Sequence, residues 1–264
     1  MSAPGKSHIQ LLFWGFDPKR AKIESKFRFP LQSDSGIYDK AANSEVRSPT
    51  STLIALLLVV IPCSAGAADV KAIAAAVDAH YNHLRSLEAE FTELYRGSGM
   101  ERTESGTLWL KKPGKMRWEY RSPKEKLFVS DGKDVWFYVP QDGQARKSKA
   151  KDLDDVRSPL AFLLGKTKLQ KELRGLSLAP DIEPLGSGDV VLRGIPKGFE
   201  EQIGEIVLEV NPENRIVRLV MQGVDGSSTE YRFSDQKENV AIGDGRFAFK
   251  PPAGTEIVEG ELQE

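Results

Sequence analysis

The chain of 264 residues predicts a mainly β protein: a curved antiparallel sheet forming an unclosed β-barrel, with short helices across its opening. Two observations predict the sheet. Apolar and charged residues alternate in short runs from Leu87 onward, and Pro-Gly, Asp-Gly and Asn-rich turns separate the runs closely enough for a meander. A third observation is that only two segments carry helical signals. About nine or ten strands with two helices exclude an alternating parallel fold and leave a sandwich or a strongly curved sheet; the curved sheet accommodates the helices better.

The first quarter of the chain reads differently. Residues 1 to 46 scatter Phe13, Trp14, Phe16, Phe27 and Phe29 among Pro, Lys, Ser and Asp with no sustained period, and are expected to be a mis-assigned start or a disordered extension. Arg47, the apolar run from Leu53 to Ile61 and Ala65-Gly66-Ala67 match the three regions of a secretory signal peptide, so 47 to 67 are expected to be removed, leaving Ala68 first in a folded domain of residues 68 to 264. The apolar run falls well short of the roughly 20 residues that cross a bilayer. Val46 is a plausible true start. Pro62 precedes Cys63 where a lipid-attachment signal wants Gly or Ala, so Cys63 is expected to leave with the signal. A mature chain without cysteine has neither disulfides nor thiolate catalysis.

Within the body, Val70, Ile73, Ala74, Val77, Tyr81 and Leu84 recur at helical spacing and predict a helix over 69 to 84. From Leu87 the period changes to two: Leu87, Ala89 and Phe91 face one way, Glu88, Glu90 and Thr92 the other. Strands follow at 104 to 111, 115 to 121, 125 to 130 and 133 to 139, joined by Lys112-Pro113-Gly114-Lys115, suited to a type II turn, and by Asp131-Gly132, suited to a tight hairpin. Residues 105 to 138 hold three of the four tryptophans, and within them Met116, Trp118 and Tyr120 alternate with Arg117, Glu119 and Arg121. An aromatic face of that size needs a cover.

Residues 151 to 165 break the pattern with an acidic start, Ser158-Pro159 and the cluster Leu160, Phe162, Leu163 and Leu164 before Gly165, which predicts a short, very hydrophobic helix. Strands resume near 188 to 193, 203 to 210, 215 to 222 and 228 to 234, separated by Asn211-Pro212-Glu213-Asn214 and Asp225-Gly226-Ser227. A greasy sheet face with greasy helices across it is a container with a lid.

Residue types that carry covalent chemistry are missing in any useful spacing, so neither an enzyme nor a cofactor is expected. His80 and His83 lie three apart on the first helix, but no Cys or carboxylate pattern completes a metal site, and surface or partly buried histidines are the expectation. Asp152, Asp154 and Asp155 are read as first-turn acids of a helix rather than a cation site. The basic run Arg146, Lys147, Lys149 and Lys151 reads as a solvated edge strand, because a formal net charge of −1 and export argue against nucleic acid.

The chain resembles the LolA family, periplasmic carriers of outer-membrane lipoproteins. The resemblance covers most of residues 69 to 258 and rests on the leading helix, Ala89-Glu90-Phe91, Gly106-Thr107-Leu108-Trp109, the run Lys112 to Trp118, Val129 to Gly132, Val135 to Tyr138, Ser158-Pro159-Leu160 and Phe247 to Pro252. It implies an unclosed barrel whose concave, helix-covered face receives the acyl chains of lipoproteins. It also implies a hand-over in the periplasm from an inner-membrane lipoprotein-releasing ATP-driven complex to an outer-membrane lipoprotein receptor, with the carrier acting as a monomer.

On this reading the candidate lipid-binding residues are Phe91, Trp109, Met116, Trp118, Tyr120, Trp136, Leu160, Phe162, Leu163 and Leu164. Ordinary core packing is the alternative for each tryptophan, since alternation says which residues share a face and not which face lines a cavity. Where the family commonly has an Arg that ties the lid to the sheet, this chain has Lys112, a single flexible ammonium in place of a planar fork. The aromatic position after the turn, linked in the family to cargo loading or transfer, is Met116. The alternative function is a lipid- or lipoprotein-sensing periplasmic module of the same fold. A third is the outer-membrane receptor, against which Pro62 before Cys63 weighs.

Overall fold

The computed structural model describes residues 69–150 and 168–259. The expected extension and leader, the helix predicted at 151 to 165 and its Leu160, Phe162, Leu163 and Leu164 lie outside the described residues. The fold is mainly β, an open curved sheet of twelve strands among the described residues. Helix α1, Val70–His83, starts where the Asp69 carboxylate accepts the Lys71 N–H at 2.9 Å, an N-cap that satisfies one orphan donor of the first turn.

The strands are β1 (Ser86–Gly97), β2 (Met100–Lys111), β3 (Lys115–Ser122), β4 (Lys126–Asp131), β5 (Asp134–Val139), β6 (Gln144–Lys149), β7 (Leu173–Leu178), β8 (Val190–Pro196), β9 (Ile203–Val210), β10 (Ile216–Gly223), β11 (Ser228–Glu238) and β12 (Glu256–Glu259). A one-turn helix α2, Leu169–Glu172, precedes β7. Their spatial order is β12-β6-β5-β4-β3-β2-β1-β11-β10-β9-β8-β7: one antiparallel meander, β1 to β6, runs outward from mid-sheet, and a second, β7 to β11, runs inward from the opposite edge until β11 pairs with β1.

Two strands depart from expectation. β7, with Gly175 at φ 66°, has too broken a pattern for period-two reading. β12 is short and pairs parallel with β6, so the basic strand β6 is not an edge: it lies between β5 and β12, with Lys147 and Lys149 both on Asp134 at 3.3 and 2.6 Å.

Register decides the faces. Lys111 pairs with Lys115 across the Pro-Gly turn, which sets Leu108 opposite Trp118 and Trp109 opposite Arg117; Trp118 then meets Phe128, and Phe128 meets Phe137. Ala89, Leu108, Trp118, Phe128 and Phe137 therefore form one row across five strands on the inner face, the side that carries α1. Ala74, Val77 and Tyr81 of α1 join the main core with Leu87, Phe91, Leu108, Leu110, Trp118 and Tyr231.

Gly106 is required by close approach rather than by an unusual dihedral. It sits between Phe91 and Tyr120 at a bulge in the β2–β3 ladder, and a Cβ there would lie 1.9 Å from the Glu119 carbonyl oxygen.

Beyond Phe91 the inner face turns from apolar to charged. Glu93 and Glu104 stand opposite one another on β1 and β2 with only 1% and 3% of their surface exposed. Tyr120 donates to Glu93 Oε2 at 2.8 Å, Lys126 lies 2.6 Å from Glu104, and Arg102 Nε is 3.3 Å from Glu104 Oε2. Burial, helped by the Glu104 charge, pushes the Glu93 carboxyl up against the opposing Tyr120 hydrogen bond and the Lys126 and Arg102 charges.

Two outcomes follow. Gly106→Ala should lower the unfolding free energy by about 2 kcal/mol or more, since the crowded atoms are backbone; urea denaturation measures it. Because the native state holds the Glu93 proton more tightly than the unfolded chain, this group's contribution to stability falls as pH rises from its unfolded value near 4.5 toward its higher folded value. Glu93→Gln should remove that part of the slope, read as a flatter stability-versus-pH curve as pH rises above about 4.5.

Candidate functional site

The expected lipid-binding residues divide between the two faces of the sheet. Phe91, Trp118 and Tyr120 are buried on the inner face, and Met116 packs against the same cluster. Their rings meet edge to face, with centroids 4.7 Å apart for Phe91–Trp118 and 4.9 Å for Phe91–Tyr120; Tyr231 and Phe233 of β11 extend the layer from 5.7 and 6.3 Å. Leu108, Phe128 and Phe137 complete it, none of them singled out from sequence although each obeys the same alternation.

Trp109 and Trp136 are not brought to this layer. The register that puts Trp118 inward puts Trp109 outward, opposite Arg117, and Trp136 follows through Val129. Trp109 packs with Ile242 and Phe247 of the C-terminal segment, its Nε1 donates to Glu88 Oε2 at 3.0 Å, and Arg246 lies over its ring at 4.6 Å. Trp136 meets Phe249 edge to face at 5.7 Å, with the Lys147 ammonium 5.1 Å from its ring centre. Lys111 donates to Ile242 O at 2.7 Å and Arg117 to Arg246 O at 3.0 Å, so this segment is a strap tied to the outer face.

On the inner face, α1 runs toward the β2–β3 turn, and its polar attachments to the sheet gather mainly at its last turn. Lys112 follows β2, its N–H bonded to Arg85 O at 2.9 Å, and its ammonium donates to Tyr81 O at 2.6 Å and Asn82 O at 3.1 Å. Those carbonyls belong to the end of a helix, where intrahelical donors run out and the dipole favours a cation. Partial burial pushes the Lys112 ammonium below its ordinary value, the cost of drawing it out of water.

Four further hydrogen bonds hold α1. The Ile216 N–H donates to the Tyr81 hydroxyl at 2.9 Å, and burial keeps that phenol neutral. His80 Nε2 donates to Glu238 Oε1 at 3.0 Å, an oxygen also reached by Arg215 Nε at 2.7 Å. Nearer the helix start, the Leu169 N–H of α2 donates to Asp78 Oδ1 at 3.0 Å and Gln170 to Lys71 O at 3.2 Å. His83 bonds the Ala79 carbonyl of its own helix at 2.6 Å, so among the described residues the two histidines do not converge. Among the described residues no cluster of His, Cys, Asp and Glu could hold a metal, and no helix is long and apolar enough to cross a membrane.

Comparison with known proteins places this arrangement. The family described as "Outer membrane lipoprotein carrier protein LolA" matches residues 82–250. An outer-membrane lipoprotein carrier protein from Chromobacterium violaceum is 30% identical over 183 residues, covering 67% of this chain and 82% of the relative. Another from Dechloromonas aromatica is 32% identical over 200 residues, covering 70% and 88%. Among solved structures, a LolA superfamily protein from Nitrosomonas europaea aligns with a TM-score of 0.39 at 12% identity, over 69% of this chain and 99% of its own. With its helix fastened over one face of an open sheet, the chain belongs to the LolA family of outer-membrane lipoprotein carrier proteins.

Proposed function

We propose that the aromatic inner face receives the acyl chains of a lipoprotein, that α1 is a displaceable cover, and that Lys112 is its latch. The observation that carries this is the way α1 is attached: a large aromatic layer lies under a helix whose polar bonds to the sheet are few and gathered mainly at one turn. The chain then works in the periplasm, taking lipoproteins from an inner-membrane ATP-driven complex and yielding them to an outer-membrane receptor, with residues 47 to 67 as its export leader and 68 to 264 as the carrier domain. No bond of the cargo is made or broken.

The magnitudes favour exchange over permanent binding. Covering Val77 and Tyr81 fully and Val70 and Ile73 in part is worth on the order of 5–8 kcal/mol, while one long acyl chain at about 0.8 kcal/mol per methylene offers on the order of 10. The first acyl chain to displace α1 therefore nets only about 2–5 kcal/mol. A carrier so balanced can release to a receptor that has less to displace.

Incubation of the purified protein with spheroplasts should release lipoproteins into solution, detected by immunoblot of the supernatant; absence of release with a functioning transporter present would favour the sensing alternative. Lys112→Met should raise the affinity for a fluorescent acyl probe about three- to tenfold, the range for a partly exposed charged donor, because the closed state is no longer latched. Lys112→Arg, which restores two donors in a fixed fork, should move it the other way. Equal affinity in all three proteins would remove Lys112 from this role.

A further inference from the structure

We infer that the buried polar cluster of Glu93, Glu104, Arg102 and Lys126 is a chain-length stop: it closes the far end of the acyl site, so that a chain gains affinity up to about 16 carbons and no further. The inference rests on the inner face being an acyl site and adds a specificity to it, the length of chain accepted.

The inner face is laid out in rows across the strands. Leu87, Leu110 and Met116 form the row nearest Lys112, and Ala89, Leu108, Trp118 and Phe128 form the next. Phe91, Gly106 and Tyr120 make the third row, and the fourth is Glu104, Glu93 and Tyr231. Leu87 and Glu93 are six residues apart on β1, about 20 Å at the usual strand rise. Carbon–carbon bonds of about 1.5 Å in a zigzag advance about 1.25 Å each, which makes this the length of about 16 carbons.

One end of that span is polar and the other is shut. Lys112 and the last carbonyls of α1 border the first row, where the polar end of a cargo chain keeps access to water once the latch parts. The methyl end then points at Glu93. Glu104 takes the Lys126 ammonium at 2.6 Å and lies 3.3 Å from Arg102, while Glu93 accepts from the Tyr120 hydroxyl at 2.8 Å. An advancing methyl group would have to separate buried opposite charges and leave them unpaired. Behind them the Arg102 guanidinium lies over the Tyr95 ring at 5.5 Å, and Tyr95 pairs with Thr229, both buried, so a packed row backs the stop. The Lys126 ammonium, 5.0 Å from the Tyr120 ring centre, closes the β4 side. On β10 the fourth row turns apolar again at Leu219, so the stop acts on a chain lying over β1 to β4, where Phe91, Trp118, Tyr120 and Phe128 are.

Competition of single-chain saturated lipopeptides, from about 12 to about 20 carbons, against a fluorescent acyl probe tests this. Affinity should rise about three- to fourfold per methylene up to about 16 carbons, then level off or fall. Glu93→Leu, and separately the charge-neutral pair Glu104→Leu with Lys126→Leu, should let the rise continue, with about tenfold tighter binding of a chain two carbons longer. Thermal denaturation checks that both variants fold. An unbroken rise through the whole series in the unaltered protein overturns the inference, with no variant needed. A break that stays in place in the folded variants overturns it too. Failure of every chain to bind is a separate result: it strikes the carrier reading itself and takes the stop with it.

Discussion

Covering the inner aromatic layer, which among the described residues falls mainly to α1, is the constraint on which the rest of the structure depends. Period-two alternation across β1 to β5 gathers Phe91, Leu108, Trp118, Tyr120, Phe128 and Phe137 on one side of an open sheet, and an open sheet has no second layer of its own to bury them. The chain meets the constraint with α1, whose Ala74, Val77 and Tyr81 enter the same core. It then limits how firmly that cover sits. Few polar bonds join helix to sheet, and those at the last turn come from side chains of the β2–β3 turn and of β11 and from a backbone N–H of β10.

The opposite face has a different economy of contacts. There the C-terminal segment lies as a strap, tied by Lys111 and Arg117 to backbone carbonyls and by Trp109, Ile242 and Phe247 to a small second core. Backbone carbonyls and apolar side chains both hold it, over Trp109 and Trp136. The buried Glu93–Glu104 pair with Arg102 and Lys126 marks where the apolar part of the inner face stops. Seven residues along β1 separate the Ser86–Lys111 pairing beside the latch from Glu93, a span of about 23 Å at the usual strand rise.

Much of this was legible in the sequence, because short turns transmit register. The Pro-Gly turn pairs Lys111 with Lys115, and from that pairing alone Trp109 must face with Arg117 and away from Trp118; the Asp-Gly hairpin then carries Trp136 to the same side as Trp109. Grouping the three tryptophans as lipid-binding candidates did not follow the register across those turns. Glu93 was equally readable, since it continues the inward series Leu87, Ala89, Phe91, but a buried carboxylate is recognisable only with its partners, which come from three other strands. β12 had no signal of its own: its pairing with β6 is made by a chain segment more than a hundred residues distant, as the Ile257–Ala145 register shows. His80 was visible, but its contact with Glu238, which Arg215 shares, is made only by the fold.

The central claim is that α1 leaves the inner face when an acyl chain occupies it. Spin labels at the exposed positions Ala75 on α1 and Thr92 on β1, with the inter-label distance measured by pulsed electron resonance before and after loading with a triacylated lipopeptide, test it directly. The account predicts a longer and broader distance distribution in the loaded protein. A distribution that does not change while the lipopeptide is demonstrably bound would contradict it.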